Sequence, residues 1–248
     1  MLLISAMMLG TTTYAWFSMN NSVYAEGMKV TARNTSGSLL IGTWTTDQGV
    51  QSPPTKESIR AAHTTHVDFG NTVHQVMPVQ HSNPSNPSSY IEFFSSPSSW
   101  SYKIADNAES YASTTSATTL TSTTFEGYVV VFDLWICIES GSNTMNNLTA
   151  NVTIDTDNGS QIMHATRVVV ASESASEEFY NAHTEGTVAT NAHTTGVTVL
   201  RTSITTADLV PVKVYIYIDG EDADVYTNNA LNLANTGVRV DFLATPAS

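Results

Sequence analysis

The segment Tyr128–Ile138, YVVVFDLWICI, constrains this chain more than any other. β-Branched and aromatic residues follow one another almost without a break, and Asp133 is its only charged residue. Successive side chains of a strand point to opposite faces. A run that is apolar at consecutive positions must therefore be covered on both sides, which predicts a central strand. Such a strand needs partners. Leu148–Ile154 (LTANVTI) alternates cleanly and is expected to pair with it as a hairpin through residues 139–147. Ser38–Ile41, Ile162–Val170, Pro211–Ile218 (PVKVYIYI) and Gly237–Leu243 (GVRVDFL) supply further strands. Asp219-Gly220 predicts a tight turn leading into an acidic loop, so Leu209–Leu243 reads as a strand–loop–strand unit. Ser172–Asn181 is polar and reads as a short helix or a loop. No long stretch repeats with period 3.6. The expected fold class is all-β, a jelly-roll or β-sandwich with long loop insertions and an N-terminal extended strand.

Length and charge narrow the class further. A chain of 248 residues suits one large β domain or two small ones and can bury a real core. Its formal net charge of −13 repels nucleic acid and anionic lipid. Charged residues make up 12% of the chain, where about 25% is usual. Ser, Thr and Asn take their place, the texture of an extracellular β-protein. The single cysteine, Cys137, excludes an intrachain disulfide and is expected to be a small buried hydrophobe. Residues 43–124 are punctuated by Pro53-Pro54, Asn83-Pro84, Asn86-Pro87 and Ser96-Pro97. They read as insertions on a core sheet, with Tyr90–Phe94 and Trp100–Ile104 as short strands and Ser110–Thr124 as a loop or exposed edge.

The first 33 residues form their own unit. No charge appears before Glu26, and Thr13-Tyr14-Ala15 follows an apolar stretch. This is the shape of a secretory h-region with a cleavage site after Ala15, leaving Trp16 at the new N-terminus, although the usual basic n-region is missing. The apolar run is shorter than the ~20 residues of a spanning helix, so no stable membrane anchor is expected. Val23, Ala25, Met28, Val30 and Ala32 are spaced like strand residues, and Gly27 marks a bulge or turn. The organisation is then a signal-like segment 1–15, an N-terminal strand 16–33 and one β-sandwich domain over 34–248.

Two stretches carry a family resemblance. Gly10-Thr11-Thr12, Ala15-Trp16-Phe17 and Ala25-Glu26-Gly27-Met28-Lys29-Val30 resemble the processing site and first strand of the TasA/camelysin family of secreted matrix-fibre proteins. Val212–Ala244 is similar to the last strands and acidic loop of relatives in that family. The resemblance implies a secreted jelly-roll subunit, cut by a signal peptidase, that polymerises head to tail with itself, with other matrix components as further partners. The freed N-terminal segment would act as a donor strand for the next subunit. Trp16, Phe17, Met19, Val23 and Tyr24 are the residues assigned to that role, with Asn20-Asn21 as a joint. The physics stands without the name: an unpaired sheet edge is a template for another chain. The alternative at this level is a tail that folds back as the first strand of its own subunit.

Other chemistry is sparse. There is no H-E-x-x-H; His63-Thr64-Thr65-His66 has the wrong spacing for a zincin, and with His74 and His81 it reads as a loose set of loop histidines. Asp219, Glu221, Asp222 and Asp224 crowd one loop and Asp155-Thr156-Asp157-Asn158 another; the first is a weak calcium candidate, and neither has EF-hand spacing. No cofactor and no enzymatic activity is expected, since no nucleophile elbow, P-loop or dinucleotide fingerprint is present. The rival reading is a monomeric adhesin or carbohydrate-binding module that uses Trp44, Tyr90, Trp100 and Tyr102 in the 43–124 loops.

Overall fold

Each strongly patterned segment forms a strand in the computed structural model. It describes residues 24–34, 38–43, 45–47, 50–75, 79–82, 92–94, 101–102, 111–112, 119–120, 129–156, 165–180, 192–193, 198–219, 222 and 236–247. In chain order the elements are β1 (Tyr24–Asn34), β2 (Leu39–Thr43), β3 (Thr45–Asp47), β4 (Val50–Ser52), α1 (Lys56–Ala62), β5 (His66–Gln75), β6 (Gln80–Ser82), β7 (Glu92–Phe94), β8 (Ser101–Tyr102) and β9 (Tyr111–Ala112). They continue with β10 (Thr119–Leu120), β11 (Val129–Ile138), β12 (Met145–Thr156), β13 (Thr166–Ser172), β14 (Ser176–Tyr180), β15 (Ala192–His193), β16 (Arg201–Ile204), β17 (Val210–Ile218) and β18 (Thr236–Pro246).

The fold is an all-β sandwich. One sheet has the order β16-β12-β18-β1-β5 and the other β15-β14-β13-β17-β11-β2. Alternate residues of both sheets meet in one core: Leu148, Val152, Val240 and Phe242 from the first, Leu134, Ile136, Val170, Val212 and Ile216 from the second. Phe242 is fully buried there. All pairings within the two sheets are antiparallel except one: β1 runs parallel to β18, with Lys29 opposite Gly237 and Asn34 opposite Phe242.

β11 is the central strand its composition predicts, flanked by β17 and β2. Its inner residues join the main core, and its outer residues Val129 and Cys137 lie under two smaller clusters. The expected hairpin between Tyr128–Ile138 and Leu148–Ile154 does not form. β12 pairs with β18 and β16 in the other sheet, so residues 139–144 carry the chain across the core. Both strands still direct their alternate apolar residues at the same interior, one facing the other. β17 and β18 likewise fall in different sheets. Ser172–Asn181 corrects to strand: Ser176–Tyr180 pairs with β13, and Phe179 supplies the core residue. Glu177 is buried beside it, its Oε2 accepting the Thr198 N–H at 3.0 Å.

The 43–124 region does more than decorate. It contributes β5, the edge strand of the first sheet, and α1, which covers the outer face of the second. Thr55 and Ser58 form a reciprocal capping box, and His63 closes the helix in the left-handed conformation. Ile59 packs on Leu40 and Cys137. Gly42 makes room for it: a Cβ there would lie 2.5 Å from both Cδ1 and Cγ1 of Ile59. Arg60 donates to the Ile138 carbonyl at 3.0 Å and the Thr206 carbonyl at 2.6 Å, and Lys56 donates to the Ala207 carbonyl.

Candidate functional site

The β1–β5 pair is the site at which the N-terminal expectation can be placed. β5 pairs antiparallel with β1 from Tyr24↔Gln75 to Arg33↔His66. β18 reaches β1 only from Lys29 onward. Tyr24, Ala25 and Met28 therefore have register partners on β5 alone among the described residues. Among the described residues this end of β1 and β5 is a two-stranded ribbon. Two bulges shape it. One lies between Ala25 and Met28, where Gly27 was expected to break the register, and the other between Lys29 and Thr31, opposite Gly70. Ala32 of β1 is buried, and its partner Val67 of β5 is half-buried against the main core. No further strand lies beyond β5 among the described residues.

Of the residues assigned to assembly, Tyr24 opens β1 opposite Gln75. Trp16, Phe17, Met19 and Val23, with the cleavage residue Ala15, lie outside the described residues. The aromatic residues of the rival reading divide similarly. Tyr102 lies in β8 opposite Tyr111, and Trp44, Tyr90 and Trp100 fall outside the described residues.

A second cluster, on the outer face of the six-stranded sheet, escaped the sequence reading. Register places Tyr180, Arg167 and Tyr217 side by side on β14, β13 and β17. The Arg167 guanidinium contacts Asp219 Oδ2 and Asp222 Oδ2, both at 3.0 Å, and lies 4.7 Å from the centre of the Tyr180 ring. Burial alone would lower its pKa, but the two carboxylates outweigh that and raise it above the ordinary guanidinium value. Tyr217 is fully buried and donates its hydroxyl to Glu178. Burial first, and then the Glu178 charge, push that hydroxyl well above the usual phenol range. The Asp222 N–H donates to the Asp219 carbonyl at 3.2 Å, closing the turn the sequence predicts. Two of the four carboxylates of the calcium candidate are thus turned onto an arginine, which clamps the start of the acidic loop to the sheet. Glu221 and Asp224 lie outside the described residues. The available signal was an arginine within the apolar run of β13, opposite a strand that ends in acids.

The remaining candidates are dispersed. Cys137 is buried beneath α1 and its thiol pKa is raised by that burial, which keeps it protonated and unreactive. His63 meets Glu139 at 3.1 Å on the surface, and His66 begins β5. No group of three or more His, Cys, Asp or Glu side chains among the described residues is arranged to hold a metal ion. No helix among them is long and apolar enough to cross a membrane.

No family model matches the chain, and no curated protein matches it. One solved structure, described as AvmM, which catalyses macrocyclization in alchivemycin A biosynthesis, aligns with 49% of this chain and 82% of that one. The two are 9% identical, with a TM-score of 0.25, a likeness too slight to carry an argument.

Proposed function

We propose that this chain is a secreted structural subunit that assembles into extracellular fibres or matrix by adding its N-terminal segment to the sheet of a neighbouring copy. The carrying observation is the β1–β5 pair at the edge of the first sheet. Its outer strand, β5, has a partner on one side only among the described residues, and β1 begins at Tyr24, next to the proposed donor in the chain. An extended segment added to such an edge gains a ladder of backbone hydrogen bonds, while alternate side chains fill pockets. Contacts of that kind are head to tail and do not close, so they propagate into filaments. The resemblance of Gly10–Arg33 and Val212–Ala244 to the TasA/camelysin family supports the same reading, as does a composition rich in hydroxyls and amides and poor in charge.

The test compares a chain beginning at Trp16 with one beginning at Tyr24. The second keeps every described residue and loses only the proposed donor. Negative-stain microscopy is expected to find filaments of the first and dispersed particles of the second. Dispersed particles from both, at high concentration and after days, would overturn the proposal in favour of a single-subunit surface module.

A further inference from the structure

We infer that the acceptor for the N-terminal segment is the outer edge of β5, and that its occupant is residues 16–23 of a second copy. This rests on the reading of the chain as a self-assembling subunit and names the surface that reading leaves open.

Each sandwich sheet has two edges, and three of the four are poorly suited to receive a strand. Among the described residues β15 offers two and β16 four. Short edge strands are a common defence against unwanted pairing. β2 offers five residues, but the Ile41 N–H on its outer side already donates to the Thr64 carbonyl at 2.9 Å. β5 has ten residues and is paired only on its β1 side among the described residues. Its length, roughly 33 Å at ~3.3 Å per residue, exceeds the ~26 Å that residues 16–23 span when extended.

The chemistry of the edge matches the segment. The first sheet is apolar on its inner face and polar on its outer face, where Asn151, Thr153 and Arg239 are exposed or half-exposed. Residues 16–23, WFSMNNSV, carry the same division when extended. Phe17, Met19 and Val23 fall on one side with Asn21, and Trp16, Ser18, Asn20 and Ser22 on the other. Phe17 and Met19 would extend the core past Val67, which now stands half-buried at its rim.

Geometry favours a second copy over the chain's own tail. Tyr24 sits on the inner flank of β5. To reach the outer flank of its own β5, the tail must cross two strand spacings, ~10 Å, which uses about three extended residues and leaves about five to pair. A neighbour's tail arrives with the whole segment free.

Disulfide trapping tests this. The chain beginning at Trp16 carries Ser18→Cys together with Asp68→Cys, Asn71→Cys or His74→Cys, one at a time across β5. A control pairs Ser18→Cys with Thr202→Cys on β16. Cysteine Cα atoms must come within ~7 Å to bridge, so only adjacent strands are captured. Filaments are oxidised with diamide and run on non-reducing gels. The expected result is a ladder of covalent oligomers from at least one β5 pair and none from the β16 control. Filaments that ladder only through Thr202, or through neither edge, would overturn the β5 assignment and leave the fibre reading intact. A bridged monomer without a ladder would show the tail folded onto its own subunit and overturn the assignment. Absence of filaments from the unsubstituted chain beginning at Trp16 would overturn the fibre reading, and this inference with it.

Discussion

Tyr217 couples stability to pH through a single buried hydroxyl. Its donation to Glu178 satisfies a carboxylate that otherwise faces the outer cluster of the six-stranded sheet. A hydrogen bond to a charged group of this kind contributes about 1.5–3 kcal/mol. Tyr217→Phe is therefore expected to lower stability at neutral pH by roughly that amount in urea unfolding. The pH dependence has a definite sign. Because the folded hydroxyl titrates well above the usual range, the folded state resists ionisation. Its contribution is complete below ~10, where the unfolded phenol titrates, and is lost as pH rises towards the folded value. The substituted protein should show a shallower loss of stability above pH ~10 than its parent. An identical alkaline slope would mean that Tyr217 is not protected from ionisation. Arg167 belongs to the same patch and marks a limit of sequence reading. An isolated arginine in IMHATRVVV shows that one position of β13 is polar, but not that β17 brings Asp219 and Asp222 to within 3.0 Å of it. That contact depends on strand order, which residue patterns do not encode.

Among the elements, α1 is held by shape as much as by its cap. The close fit of Ile59 over Gly42 leaves no space for a methyl group. Gly42→Ala is expected to cost about 1–3 kcal/mol, because Ile59 must leave its position or the helix must lift. Ile59→Ala alone also destabilises, by emptying a buried site. The double substitution should cost less than the two single changes added together, since each removes the other's problem. Additive losses in a double-mutant cycle would show that the two residues do not compete for space. This helix was not legible in the sequence. At seven residues it is too short to display a 3.6 period, and its signals are local: Thr55 and Ser58 at the cap. The β strands were legible because alternation extends over seven or more residues in β12, β17 and β18, and because an almost unbroken apolar run marks β11. Their partners were not. Alternation fixes which residues face the core, and it is equally satisfied when β12 lies beside β11 or across from it. The position of β5 was hidden for a related reason, since HVDFGNTVHQ is interrupted by Gly70, where the register shifts.

At the scale of the whole molecule, charge opposes association. Copies with a formal net charge of −13 repel one another, and the repulsion reaches ~30 Å at 0.01 M salt but only ~8 Å at 0.15 M. The proposed assembly of the chain beginning at Trp16, followed by light scattering, should therefore accelerate as salt rises over that range. It should also accelerate as pH falls towards the sequence pI of about 4.7. Slower assembly at higher salt would point instead to joints held by opposite charges. The parallel pairing of β1 with β18 carries a separate consequence, one of timing. Lys29 and its partner Gly237 stand roughly two hundred residues apart in the chain. Contacts so distant in sequence are slow to form, since the entropy of closing the loop is lost before the pairing returns anything. During synthesis the first strand must wait for β18 to emerge, so the sheet that carries β5 at its edge is completed late. A nascent chain therefore remains without its finished first sheet until the roughly two hundred residues between those partners have been made.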